Sequence, residues 1–175
     1  MNCPEKNIKL LALDVDGVLT DGRIMIDSEG REIKVFSAHD GMGIKAALQA
    51  GIKIAFITSR DSKAVIVRAG ELGVKDVYVG RTDKIIAVKE LVKKYSIDIK
   101  EVCYIGDDLV DLQAIVESGW GVTVPEAPDE IRKHADFITT RSCGCGAVRE
   151  VIEIILKSNG SWDKLINEYL GHNRD

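Results

Sequence analysis

Residues 8–17 read IKLLALDVDG, a short apolar run that is broken by two aspartates and a glycine. A run of this length and composition is typical of a buried strand, and the charged residues that follow it mark the strand's end. Residues 52–57, 77–79, 102–105 and 121–124 have the same apolar character. The sequence therefore predicts five buried strands, the first of which ends at Asp14.

Helical patterns lie between these strands, near residues 41–50, 61–72, 82–95, 108–118 and 127–134. Strands that alternate with helices predict an α/β fold of three layers, in which a central parallel sheet is covered on both faces. The order of elements is Rossmann-like. Residues 146–156 resemble a last core helix, and residues 160–175 form a C-terminal tail with an amphipathic start. We expect residues 1–175 to form a single domain.

One segment interrupts the alternation directly after the first strand. Residues 23–36 read RIMIDSEGREIKVF, two short strand-like runs around the turn-forming residues 27–30. This pattern predicts a β-hairpin insertion. Two paired strands are marginal alone, so its apolar residues need a partner.

Composition excludes several classes of function. The chain has 175 residues, 45% of them hydrophobic and 30% charged, and a formal net charge of −4. This charge argues against nucleic acid as the main partner. No apolar run is long enough to cross a membrane, and the first residues do not resemble a secretory signal. We therefore expect a cytoplasmic protein without a membrane partner.

Four cysteines (Cys3, Cys103, Cys143 and Cys145) are best interpreted as free thiols in such a protein. Cys143 and Cys145 form a C-x-C pair, which could be half of a zinc site. The remaining cysteines and the scattered histidines do not complete one, so we favour an ordinary loop.

Polar residues cluster where the predicted strands end. The first strand is followed by Asp14 and Asp16, the second by Thr58 and Ser59, the third by Lys84, and the fourth by Asp107, Asp108 and Asp111. The carboxyl ends of parallel strands meet at one edge of the sheet, so these side chains should form one site. Carboxylates held together require protons or a cation, and an all-oxygen ligand set suits Mg²⁺. A carboxylate can also attack phosphorus, while hydroxyls and a lysine hold the phosphoryl oxygens.

The spacing of these residues resembles the haloacid dehalogenase (HAD) superfamily of phosphatases. DVDG at 14–17, TSR at 58–60, Lys84 and GDDLVD at 106–111 match its four motifs in order. The resemblance implies a HAD fold, with Asp14 as nucleophile and Asp16 as the acid and base. It implies that Mg²⁺ is held by the Asp14 side chain, the Asp16 backbone carbonyl and Asp107. It also implies that Thr58, Ser59 and Lys84 hold the phosphate, while Asp108 and Asp111 support the site from behind.

Within that superfamily the chain is similar to the phosphatases of 3-deoxy-D-manno-octulosonate 8-phosphate, an enzyme family of lipopolysaccharide precursor synthesis. The similarity covers residues 8–156 and includes the hairpin, DGMG at 40–43, Gly80 with Lys84, and GAVRE at 146–150. It implies a capless enzyme whose hairpins, residues 23–36, assemble a homotetramer in which each subunit covers a neighbour's site. It also implies a set of residues that bind the sugar acid: Ser37, Ala38, His39, Asp40, Gly41, Lys45, Arg60, Arg68 and Lys84.

Several alternatives remain at this point. Residues 143–146 read CGCG where that family has two glycines, a basic residue and a glycine, although Arg141 could supply the charge. The substrate could therefore be another phosphorylated sugar acid or small metabolite. A non-catalytic assembly or regulatory module could retain the same fold. Among single residues, Lys45 and Arg68 could equally be solvated, and Asp108 could simply face a helix dipole.

Overall fold

The computed structural model describes residues 7–171 and contains two sheets. The strands are β1 (Leu10–Leu13), β2 (Met25–Ile26), β3 (Glu32–Ile33), β4 (Lys53–Ile57), β5 (Asp76–Tyr78), β6 (Val102–Ile105), β7 (Trp120–Thr123) and β8 (Phe137–Ile138). Six of them form a sheet of order β5-β4-β1-β6-β7-β8, in which all neighbours are parallel. The five predicted buried strands are confirmed to within two residues. The sixth, β8, was not predicted, because two residues are too few to show a period.

Seven α-helices are described: α1 (Ala38–Gln49), α2 (Lys63–Leu72), α3 (Lys84–Tyr95), α4 (Leu112–Glu117), α5 (Asp129–His134), α6 (Ala147–Ser158) and α7 (Ser161–Tyr169). The predicted helix at 108–118 instead begins with a 3₁₀ turn at Leu109–Asp111. This difference matters for the site, because the turn carries Asp111.

The helices cover both faces of the large sheet. Leu11 and Leu13 of β1 belong to a buried cluster with residues of α1, α2, α6 and α7. Leu10 and Ala12, which point the opposite way, belong to a second cluster with α3, α4 and α5. Strand side chains alternate between faces, so a strand buried on both sides has no polar face. The predicted three-layer fold is confirmed.

The middle of the sheet is where the functional residues converge. β1 lies between β4 and β6, and the chain moves outward from β1 in both directions. A crevice opens at the carboxyl ends of parallel strands where the strand order reverses in this way. Asp14, Thr58 and Asp107 follow these three adjacent strands directly or by one residue, so the topology brings them to that crevice.

The predicted hairpin is also confirmed, as a separate antiparallel pair of β2 and β3. At its tip the Asp27 carboxylate accepts hydrogen bonds from the backbone N–H groups of Glu29 and Arg31, at 2.9 and 2.8 Å. The apolar residues remain exposed in the single chain: Ile24, Met25, Ile26, Ile33 and Val35. An exposed apolar face of this kind is typical of an interaction surface.

The C-terminal part consists of α6 and α7, as its amphipathic pattern predicted. Leu165 of α7 is buried, whereas Tyr169 is exposed. The predicted tail at 160–175 is described as far as residue 171, and Cys3 and His172 lie outside the described residues. None of the helices within residues 7–171 has the length and apolar character needed to span a bilayer.

Candidate active site

Asp14 is a buried carboxylate at the end of β1. Its backbone N–H donates to the carbonyl of Ile105 in β6, at 2.9 Å. Its Oδ1 lies 2.6 Å from the Nζ of Lys84, the first residue of α3, and both side chains are almost fully buried. A buried ion pair fixes its partners, because neither charge can separate without leaving the other unpaired. Asp14 therefore has a fixed position and direction.

Asp111 is a fully buried carboxylate behind Asp14. Its Oδ1 accepts hydrogen bonds from Lys84 Nζ at 2.7 Å and from the Tyr104 hydroxyl at 2.6 Å. Its Oδ2 accepts from the backbone N–H groups of Asp107 and Asp108, at 3.2 and 3.1 Å. Both oxygens are thus occupied, so Asp111 holds Lys84 and the loop after β6 in place. This arrangement supports the predicted role of Asp111 behind the site.

The acidic residues fit a metal ion. Oxygens of Asp14, Asp107 and Asp111 lie within 4.8 Å of one another, the one such group among the described residues. Since Asp111 is already saturated, Asp14 and Asp107 are the side chains left to bind a cation. Asp107 Oδ1 is buried without a hydrogen-bond partner. Gly17, at φ +88°, makes room for this carboxylate, because a Cβ there would lie 2.0 Å from Asp107 Oδ2.

The electrostatics of the carboxylates support the same conclusion. Burial raises the pKa of Asp14 well above its ordinary value, Asp111 adds to this, and Lys84 offsets only part of it. Burial and the Asp111 charge raise the pKa of Asp107 to about 6. Burial alone would lower the pKa of Lys84, but Asp14 and Asp111 outweigh it and raise the pKa. A divalent cation would relieve the repulsion among the carboxylates, and all-oxygen donors suit Mg²⁺.

A cavity of about 170 Å³ opens over these groups, and its lining joins residues from four strand ends: Asp14, Asp16, Thr58, Ser59, Arg60, Lys84, Asp107, Asp108 and Val110. Thr58 is buried, and its Oγ1 accepts from the backbone N–H of Arg60 at 3.2 Å. The Ser59 hydroxyl donates to the carbonyl of Arg81 at 3.3 Å. The structure thus brings together the residues that the four sequence motifs predicted.

Comparison with known proteins identifies the family. The model of haloacid dehalogenase-like hydrolases matches residues 73–152. The 3-deoxy-D-manno-octulosonate 8-phosphate phosphatase KdsC of Escherichia coli strain K12 is 42% identical over 159 residues, 91% of this chain and 85% of that protein. This chain belongs to the same phosphatase family. The family enzyme from Haemophilus influenzae, solved in a cobalt-bound form, is 38% identical with a TM-score of 0.85 and covers 88% of this chain and 90% of that chain.

A crystal structure of the family enzyme from Moraxella catarrhalis contains a magnesium ion, a phosphate ion and a KDO molecule. It is 47% identical to this chain, with a TM-score of 0.91 and 94% of each chain covered. The fold of this chain is therefore that of the family. The metals in the two relatives agree with the oxygen donors that Asp14 and Asp107 offer here.

The residues predicted to bind the sugar acid do not all reach the cavity over Asp14. Arg60 and Lys84 line it. Ser37 instead caps α1 by accepting from the Asp40 N–H at 3.3 Å, and Lys45 is exposed on that helix. His39 lines a different cavity of about 500 Å³ beside α6.

Arg68 is a residue of α2, and its side chain lies on the side of that helix that faces α1. It forms an ion pair with Glu71 at 3.1 Å and lies over the Phe36 ring. Gly41 allows this approach, because a Cβ there would lie 2.5 Å from an Arg68 guanidinium nitrogen. Ala38 is exposed at the start of α1. Six of the predicted residues thus lie outside the lining of the cavity over Asp14 within one chain: Ser37, Ala38, His39, Gly41, Lys45 and Arg68. Their contact with substrate stays a prediction.

Asp40 has a structural position that the sequence did not reveal. It is buried, and its carboxylate accepts from the backbone N–H groups of Gly146 and Arg149, at 3.1 and 2.7 Å. It therefore caps the first turn of α6, where an anion also interacts favourably with the helix dipole. Burial raises the pKa of Asp40, although these hydrogen bonds counteract the shift. Both oxygens are occupied within the chain, and the contact of Asp40 with substrate stays a prediction.

Two charged hairpin residues at the site were missed by sequence reasoning. The ammonium of Lys34 contacts Asp16 Oδ1 and lies 3.1 Å from Glu32 Oε1. Glu32 in turn accepts from Arg60 Nε at 3.2 Å and from the Ser62 hydroxyl. A signal was present, because these two charged residues alternate with exposed Ile33 and Val35 and so share the opposite face of the strand.

The loop with the C-x-C pair packs behind the nucleophile loop. The Gly144 N–H donates to the Val18 carbonyl at 3.0 Å. A Cβ at Gly144 would lie 2.7 Å from backbone atoms of Thr20 and Asp21. Cys143 is buried and Cys145 exposed, and both are free thiols, as is Cys103. Gly144, which is a glycine in both CGCG and the family pattern, is the residue that this close packing requires.

Proposed function

We propose that this chain is a magnesium-dependent phosphatase that hydrolyses 3-deoxy-D-manno-octulosonate 8-phosphate to the free sugar acid and phosphate. The observation that carries this proposal is the buried Asp14, which Lys84 holds 2.6 Å away beside the orphaned oxygen of Asp107. Relatives at 42% and 47% identity with this substrate or product in their names support the choice of sugar acid. We place this reaction in lipopolysaccharide precursor synthesis, as the resemblance to that enzyme family implies.

In this proposal Asp14 attacks phosphorus and forms an aspartyl-phosphate, while the sugar alkoxide leaves with a proton from Asp16. Asp16 then takes a proton from the water that attacks the aspartyl-phosphate, and inorganic phosphate leaves. Thr58, Ser59 and Lys84 hold the phosphoryl oxygens during both steps. The Asp14 and Asp107 side chains, with the Asp16 backbone carbonyl, would hold Mg²⁺, which neutralises the charge of the phosphoryl group.

We also propose a homotetramer whose hub is the hairpin at residues 23–36. The exposed apolar residues of β2 and β3 support it, since Ile26 and Val35 are 61% and 66% exposed in the single chain. The cavity over Asp14 is open, and no inserted cap domain lies between β1 and β4. A neighbouring subunit that covers this opening could also bring its own Lys45, His39 or Arg68 to the cavity. Within a single chain these three residues lie outside the lining of that cavity.

The substrate is tested by phosphate release from a panel of phosphorylated sugar acids, compared by kcat/KM. We expect 3-deoxy-D-manno-octulosonate 8-phosphate to be preferred over other sugar acid phosphates and small metabolites. A clear preference for another compound would correct the substrate and leave the chemistry intact. Mg²⁺-dependent release from a generic aryl phosphate distinguishes an enzyme from a non-catalytic assembly or regulatory module, which would release none.

We propose a cytoplasmic location. Three free thiols among the described residues support it, because reducing compartments keep thiols unpaired. Fractionation of cells that produce the protein, with a periplasmic marker as reference, tests this location, and recovery with the periplasmic marker would contradict it.

A further inference from the structure

The side of β3 that faces the site is charged, although the other side is apolar. Glu32 and Lys34 point inward, whereas Ile33 and Val35 are 49% and 66% exposed. Charged side chains are rarely buried unless each one has a partner. The Lys34 side chain is only 1% exposed, so its position in this structure needs an explanation beyond solubility.

The Lys34 ammonium lies between two carboxylates. One is Asp16, at the site, and the other is Glu32 of the same strand, at 3.1 Å. The same Glu32 oxygen, Oε1, also contacts Arg60, at 3.1 Å, and Oε2 accepts a hydrogen bond from the Ser62 hydroxyl. The result is a chain of contacts that runs from the segment after β4 through the hairpin to Asp16.

This chain of contacts restrains one oxygen of Asp16 and leaves the other unpaired. Oδ1 contacts Lys34, whereas Oδ2 is buried without a hydrogen-bond partner, and Asp16 is one of the residues that line the cavity. A lysine on a flexible stem can hold a carboxylate only if its own ammonium is fixed. Glu32 supplies that fixation. Two other described cations lie near the cavity. Arg60 contacts Glu32, and Lys84 contacts Asp14 and Asp111.

We infer that Lys34 is a positioning residue that directs the free oxygen of Asp16 toward the leaving group, and that Glu32 holds Lys34 for this task. The inference rests on the proposed function, because it concerns Asp16 as the acid of that reaction. It gives the hairpin a second role within its own subunit, independent of assembly. It also explains why charged residues occupy the inner face of an otherwise apolar hairpin.

The test separates the need for an acid from every other property of the site. Wild-type protein and the Lys34→Met variant are compared in single turnovers, with enzyme in excess, on aryl phosphates that range from dinitrophenyl to phenyl and on an alkyl phosphate. A dinitrophenolate leaves without a proton, whereas an alkoxide needs one. General acid catalysis contributes about 10²–10⁴-fold. We expect the dinitrophenyl ester to react within about twofold of wild type and the alkyl ester to lose on the order of 100-fold.

Two further variants strengthen the comparison. Lys34→Arg should recover most of the alkyl ester rate, because a guanidinium can bridge two carboxylates. Glu32→Gln should change the rates in the same direction as Lys34→Met but less, and it tests the inference if the methionine variant folds poorly. Arg31→Met is the matched control, because Arg31 is a cation of the same hairpin that pairs with Asp27 and Glu29 at the tip. It should leave every rate unchanged.

A last arm places Lys34→Met in an Asp16→Asn background. If Lys34 acts through Asp16, the second substitution should cost less than about twofold on any ester, since residues in one network are not additive. Equal slowing of all esters by Lys34→Met, or no slowing at all, would overturn the inference. A wild-type protein that shows no Mg²⁺-dependent turnover would instead overturn the proposed function, and that result is seen before any variant is compared.

Discussion

Asp111→Asn should destabilise the protein far more than a single lost hydrogen bond would suggest. The Asp111 carboxylate is 0% exposed and accepts four hydrogen bonds, from Lys84, Tyr104 and the backbone N–H groups of Asp107 and Asp108. An asparagine has only one oxygen, so its amide group must face two donors in either orientation. Lys84 would also lose one of its two buried anions.

The expected decrease in the free energy of unfolding is about 3–5 kcal/mol, because this is the cost of losing one partner of a buried ion pair. For a protein of this size, each kcal/mol shifts Tm by about 2–4 °C, so the expected decrease is about 6–20 °C. Thermal unfolding at fixed Mg²⁺ concentration measures it.

Asp108→Asn is the matched control, because this exposed neighbour caps the 3₁₀ turn, accepting from the Leu109 N–H at 2.7 Å, and asparagine caps equally well. Asp108→Asn should change Tm little. Asp111→Asn could instead lower the free energy of unfolding by less than about 1 kcal/mol, or by the same amount as the control. Either result would refute the view that Asp111 is the buried support of Lys84.

Three further predictions concern the metal, the nucleophile loop and the hairpin. Burial and Asp111 raise the pKa of Asp107 to about 6, so the folded protein without metal holds a proton there that the unfolded chain has lost. This contribution to stability is present at low pH and is lost as the pH rises through 6, whereas Mg²⁺ must displace the proton. The affinity for Mg²⁺ should therefore fall by about tenfold for each pH unit below 6, so the increase in Tm that Mg²⁺ produces should be larger at pH 7 than at pH 5. This increase should nearly vanish in Asp107→Ala. Equal increases in Tm at both pH values would contradict the metal site. Gly17→Ala should weaken Mg²⁺ binding, because its Cβ would lie 2.0 Å from Asp107 Oδ2, while Gly30→Ala, also at positive φ but with no heavy atom within 4 Å, should retain it. Replacing Ile26 and Ile33 by aspartate should dissociate the proposed tetramer in light scattering and reduce selectivity for the sugar acid over an aryl phosphate, with Glu32 and Lys34 left intact; a variant that keeps both mass and selectivity would show that the hairpin is not the hub.

The sequence was sufficient for the fold and for the residues that follow strands. Asp14, Thr58 and Asp107 could be predicted because parallel strands place their carboxyl ends at one edge, whatever the details of packing. Lys84 could be predicted only through its match to a motif, since a lysine at a helix start is ordinary. β8 was missed because two residues show no period.

Contacts between distant elements could not be predicted in the same way. Asp40 accepts a hydrogen bond from Gly146, 106 residues later and just before α6, and nothing in its own neighbourhood indicates that partner. Lys34 reaches Asp16 because the hairpin folds back over the first loop, and that direction depends on tertiary packing rather than on local pattern. The alternation of charged and apolar residues at 32–35 is typical of a two-faced strand, but it does not show which face meets the site.

We propose that Asp14 carries the phosphoryl group during turnover. The most direct measurement is to quench the protein with acid during turnover of substrate in Mg²⁺, reduce it with borohydride, and map the modified residue by mass spectrometry. An acyl phosphate on aspartate is reduced to homoserine, so we predict homoserine at position 14, dependent on Mg²⁺ and absent in Asp14→Asn, which should also have no turnover. Homoserine at another aspartate, or full turnover by Asp14→Asn, would show that Asp14 is not the nucleophile.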